Sequence, residues 1–181
     1  MRSFQELTVE ELLEKAEKIT EKYYEEGSLP VQIEEIIDTA GLDIIPATGL
    51  KDLDINAGIL SDFSSILVDS KQYMDEKCLN GVRFSLAHEF GHFVLHRDIF
   101  EQDSACLFFH DLIVKQNKLL YKKIEEQANL FARFLLVPER EFDKAMQEGK
   151  EPAELSRIFR VSTKCIKKRT VTYLKMHNKE F

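Results

Sequence analysis

The sequence predicts a single α+β domain in which helices pack on a small, mainly antiparallel sheet and a helical segment closes the chain. Three observations carry this. Long stretches at both ends repeat apolar residues at helical spacing, whereas residues 43–69 break into short β-branched runs. The 181 residues are 44% hydrophobic and 31% charged, the balance of a water-soluble globular chain long enough to bury one core. No apolar run approaches bilayer-spanning length, so no membrane partner is expected.

"TVEELLEKAEKITEKYYEEG" opens with Thr8 and Glu11 in capping-box spacing, and Leu12, Ala16, Ile19 and Tyr23 recur on one face until Gly27. This N-terminal helix is expected to occupy residues 1–27. A core over 28–138 and a helix-turn-helix-like segment over 139–181 follow. In "SLPVQIEEIIDTAG", Pro30 marks a second helix start and Gly41 its stop. Ile44–Ile45, Gly58–Leu60 and Ser65–Asp69 read as strands, with "SDFS" as a turn. Asn80 is placed to cap a helix running from about Gly81 to His96. "LFFHDLIVKQNKLLYKKIEEQANLFARFLLVP" is helical by composition, with Pro138 as its stop. The remainder divides into short helices at "EGKEP" and "RVS", with Ser162 capping the last.

The N-terminus lacks the basic start and continuous apolar stretch of a secretory signal, which predicts a cytoplasmic location. Cys78, Cys106 and Cys165 are odd in number and form no CxxC, so reduced thiols are expected. Residues 154–181 hold eight Lys and Arg against two Asp and Glu, inside a chain of net charge −7. Direct nucleic-acid binding by the whole chain is therefore not expected, although the basic end leaves a DNA-binding module as a rival reading through Lys164, Lys167, Lys168 and Arg169.

The chemistry concentrates in "RFSLAHEFGHFVLH", residues 83–96, which holds three of the five histidines in an otherwise apolar helix. His88-Glu89-Phe90-Gly91-His92 is HExxH. Residues four apart share a helix face about 6 Å apart along the axis, so two imidazoles converge on one metal ion. Zinc suits this donor set, and Glu89, roughly 100° round the helix, is placed to take a proton from a bound water as general base. His96 lies about 12 Å along a continuous helix from His88 and is expected to pack or to cap the helix end as a partly charged imidazole.

A third ligand is sought on a second helix. In "KKIEEQANLFARFLLVPE" Glu125 shares a face with Ala128, Asn129, Ala132 and Leu135, and these small residues permit close approach. Glu125 is the better candidate, with Asn129 placed to orient its carboxylate. Cys106 and His110 form a competing C-x3-H pair. His110 and Tyr121 are possible oxyanion stabilisers, without supporting spacing.

The pair "RFSLAHEFGHFVLH" and "EEQANLFARFLLVPE" resembles the ImmA/IrrE family of bacterial and phage metallopeptidases, with looser similarity over about residues 30 to 175. The resemblance implies a zincin-like fold, His88, His92 and Glu125 as zinc ligands, and Glu89 as catalytic base. It also implies a protein partner, a helix-turn-helix repressor that is cleaved to derepress mobile-element or stress-response genes. A rival reading is a metal-containing interaction protein that sequesters its repressor uncut. Val137 stands where the family has Met, and residues 97–123 align with no motif.

Overall fold

The computed structural model describes residues 4–23, 28–99, 106–116 and 118–177. A reciprocal cap opens the chain: the Thr8 N–H donates to the Glu11 carboxylate (2.8 Å) and the Glu11 N–H to the Thr8 hydroxyl (3.2 Å). Helix α1 follows over Val9–Tyr23 and buries Leu12 and Ala16; the expected stop at Gly27 lies outside the described residues. Helix α2, Ile33–Thr39, buries Ile33, Ile36 and Ile37. Gly41 then takes a positive φ of 84°, which a side chain would resist, and turns the chain into the sheet.

Strands β1 (Asp43–Ala47), β2 (Ala57–Ile59) and β3 (Ser65–Asp69) lie in the order β1-β3-β2. The sheet is mixed, which corrects the mainly antiparallel expectation. β2 and β3 pair antiparallel across the short "SDFS" turn, whereas β1 runs parallel to β3 from Asp43↔Ser65 to Ala47↔Asp69. Residues 48–64 between β1 and β3 are long enough to carry the chain back to the same end. Side-chain alternation records which face is buried and not the direction of the neighbour.

Helix α3, Ser70–Tyr73, is capped by Asp69, whose carboxylate accepts from the Gln72 N–H. A 3₁₀ turn over Glu76–Cys78, capped by Asp75, feeds directly into α4, Leu79–His96. Asn80 is consequently not the cap. It sits inside the first turn, and its amide donates to the Val161 carbonyl (3.5 Å). One turn on, buried Arg83 donates to the Val31 carbonyl (2.6 Å) and the Arg160 carbonyl (3.3 Å), fastening α4 to segments on either side.

The helical second half comprises α5 (Phe109–Gln116), α6 (Lys118–Leu136), α7 (Glu139–Gln147), α8 (Pro152–Phe159) and α9 (Thr163–Met176). Pro138 follows α6 as its stop signal required. Ser162 caps α9 by accepting from the Cys165 N–H (3.1 Å). α8 and α9 are joined by the short turn of residues 160–162, and Leu155, Phe159, Val161 and Ile166 of this segment are buried in the core. Arg169 is not part of the exposed basic face. It is fully buried, pairs with Glu139, donates to the Val137 carbonyl and lies over the Phe134 and Phe142 rings. One hydrophobic cluster extends from Leu12 to Tyr173, and among the described residues no helix is long and apolar enough to cross a membrane.

Candidate metal centre

Apolar residues around α4 bury it against the sheet and against α6, so its polar residues must find partners inside. His88 and His92, one turn apart, bring their Nε2 atoms to 3.1 Å. From α6, Glu125 places one carboxylate oxygen 3.3 Å from His88 Nε2 and the other 3.2 Å from His92 Nε2. Ligands at the corners of a zinc tetrahedron with bonds of 2.0–2.1 Å stand about 3.3 Å apart, so the three donors fit that ion without rearrangement. Among the described residues they are the one group of three His, Cys, Asp or Glu side chains that could hold a metal. The competing pair is not gathered here: Cys106 is buried and His110 is exposed, with its ring edge-on to Tyr121 at 4.9 Å.

Close approach of the two helices makes this possible. At Gly91, a Cβ would stand 3.4 Å from the Ala128 backbone and 3.2 Å from the Phe131 ring, so glycine on α4 and alanine on α6 set the separation. The outward ring nitrogens are also occupied. His92 Nδ1 lies 3.1 Å from His96 Nδ1, and His96 Nε2 lies 3.1 Å from the Gln127 amide oxygen, whose amide nitrogen donates to the Gln5 carbonyl. Because Gln127 offers an oxygen, His96 carries its proton on Nε2 and accepts from His92 Nδ1–H, which frees His92 Nε2 to give up its proton to Glu125 and serve as a ligand once a metal ion takes that proton's place.

The peptidase family described as the IrrE N-terminal-like domain matches residues 79–171, which begin with α4 and span α6. The chain belongs to that family. No curated protein sequence matches it. A solved Mycobacterium tuberculosis transcriptional regulator superposes with a TM-score of 0.61 at 21% identity, over 87% of this chain and 54% of its own. That likeness shows a shared fold, and the chain spans about half the length of that regulator.

In this IrrE-like chain Asn129 does not orient the Glu125 carboxylate, as its spacing suggested. Its amide donates to the Glu125 backbone carbonyl (2.7 Å), and its side chain holds His88 by a hydrogen bond. His96 is likewise not a charged cap: burial, then the neighbouring His92, pushes it down to about 3. Burial alone would lower His88 as well, but the hydrogen bond and charge of Glu125, with Glu89 and Asn129, raise it above the ordinary imidazole value. Burial would raise Glu125. The hydrogen bonds from His88 and His92 outweigh that and hold it well below the usual carboxylate range.

The donors open into a cleft of about 510 Å³. One wall is Asp54 to Ile59, the approach to edge strand β2 and the strand itself; Phe108, His110 and Asp111 face it. Glu89 stands beside the two imidazoles, and one of its carboxylate oxygens accepts from the Ile59 N–H (2.9 Å). This fixes its rotamer and leaves the second oxygen toward the cleft. Neither the β2 contact nor the His96 relay was read from the sequence. The relay did have a signal, since His96 is one turn beyond His92.

Proposed function

We propose that this chain is a zinc-dependent endopeptidase that cleaves a regulatory protein, with a helix-turn-helix repressor as its partner. The observation that carries the reading is the convergence of His88 Nε2, His92 Nε2 and the Glu125 carboxylate within 4.8 Å, beside a cleft that Glu89 enters. His88, His92 and Glu125 would hold the ion. When bound, zinc supplies Lewis acidity that polarises a carbonyl and makes a water acidic near neutral pH.

Glu89 takes the proton of the attacking water and returns it to the leaving amine as the peptide bond breaks. Its bond to the Ile59 N–H keeps the carboxylate aligned during both transfers. The edge strand beside it suits an extended peptide, which would pair along β2 with its scissile bond over the imidazoles. An open groove of this length suits a segment of polypeptide better than a compact small molecule, which needs closer enclosure.

The test is a set of variants incubated with helix-turn-helix repressors from the same genome as candidate substrates. Glu89→Gln should keep zinc and lose cleavage by about a hundredfold to ten-thousandfold. His88→Ala, His92→Ala and Glu125→Ala should each lose the metal. Repressor that is bound but never cut by the wild-type, zinc-loaded chain would replace this reading with sequestration.

A further inference from the structure

On the far side of Asn129 from the metal centre lies a second cleft, of about 280 Å³, between α4, α6 and the start of α9. Its lining includes Arg133, Ser162, Lys164, Cys165 and Lys168, with Phe84 as an apolar wall. Three cations therefore meet in one concavity, and none of the three has an ion pair among the described residues. The Arg133 Nε is buried and has no hydrogen-bond partner among the described residues. Its guanidinium is lowered from its ordinary value by burial, with Arg169 adding repulsion and no carboxylate opposing it.

A charge held this way is costly unless something meets it, because removing a cation from water is repaid only by a counter-charge or by hydrogen bonds. Arg83 and Arg169 illustrate the normal solution, the first on backbone carbonyls and the second on Glu139. Arg133 has neither. Cys165 cannot serve as the counter-charge, because burial raises its thiol to about 11 despite Arg133, Arg169 and Lys168 nearby, and the sulfur stays neutral. Ser162 accepts from the Cys165 N–H through its oxygen, which leaves its hydroxyl proton to donate elsewhere.

We propose that this cleft binds a small phosphate-type oxyanion, either the free ion or a phosphomonoester, on Arg133, Lys164 and Lys168. The guanidinium offers a planar fork, the two ammonium groups offer adjustable point charges, and Ser162 offers one further donor, which together match a doubly charged tetrahedral anion. A volume of about 280 Å³ leaves room beyond the phosphate for a short organic group against Phe84. The site is independent of peptide hydrolysis and stands or falls on its own.

Calorimetric titration of the full chain with inorganic phosphate, and separately with glycerol phosphate, at constant ionic strength tests it. Saturable one-site binding is expected, at least tenfold weaker in Arg133→Gln and in the double variant Lys164→Gln/Lys168→Gln, and unchanged in His92→Ala, which does not touch the cleft. Tighter binding of the monoester assigns the site to an organic phosphate, and equal binding to the free ion. The lysine variants alter only exposed side chains, so the test survives if Arg133→Gln does not fold. Absence of saturation, binding unchanged in the lysine variants, or binding lost in His92→Ala would overturn the proposal. So would salt-sensitive binding of duplex DNA where phosphate fails.

Discussion

His96 shows how much of one residue's role lies outside its own helix. Distance along the helix sets it apart from the three donors, and its ring nitrogens go to His92 and Gln127 instead. What spacing alone did not reveal is that i+4 from His92 places it where it can accept the Nδ1 proton, because the outcome depends on Gln127 from another helix. Such partners fix the tautomer of a metal-binding imidazole and raise its basicity. His96→Ala should therefore weaken zinc binding by about ten- to a hundredfold, measured by competition with a chromogenic chelator. His96→Gln, which keeps an acceptor, should recover part of the loss. An unchanged zinc affinity in His96→Ala would remove the relay from the centre. The grouping of His88, His92 and Glu125 was legible because HExxH is local and because small residues flank Glu125. The Ile59 N–H and the turn of Asn129 toward His88 were not, since both depend on how distant segments dock.

The contact between α4 and α6 turns a stripe of small residues into a metal geometry, and two glycines of α4 separate the contributions. Gly→Ala in a helix interior gains up to about 1 kcal/mol from propensity. At Gly81 a Cβ meets nothing within 4 Å, so Gly81→Ala should raise Tm. At Gly91 the methyl would press on the Ala128 backbone, which cannot rotate away, and on Phe131. Overpacking there costs about 1–3 kcal/mol, more than propensity returns. Gly91→Ala should lower Tm and, by pushing α6 outward, weaken zinc binding as well. Equal effects of the two substitutions would mean that the helix spacing is not set at Gly91. The three strands were legible from β-branched runs, but the parallel pairing of β1 was not. Neither was the fate of Arg169, which shares a basic stretch with exposed Lys167 and Lys168 yet turns inward to Glu139.

At the scale of the whole molecule, the metal centre and the terminal helices belong to one hydrophobic cluster, so events at either end should register in global stability. Zinc bound by the folded chain alone stabilises it by about 2.7 kcal/mol at a free concentration of 100 Kd. A chelator should lower Tm and zinc should restore it. An alkaline dependence follows from Cys165, which is buried where α9 meets α6. Its thiol is raised by burial from 9.0 to about 11 in the folded chain. Between those values the unfolded chain has lost the thiol proton and the folded chain keeps it, so unfolding releases a proton and stability falls as pH rises. The contribution is fully present below about pH 9 and is lost as the pH climbs through 11. Its size is on the order of 3 kcal/mol, since each tenfold change in proton affinity corresponds to about 1.4 kcal/mol. Urea denaturation at pH 8, 9, 10 and 11 should show this decline in the wild type and a shallower one in Cys165→Ala. The variant should start lower at pH 8 because of the cavity it leaves. Parallel curves for the two proteins would place the alkaline loss elsewhere, in groups the two chains share.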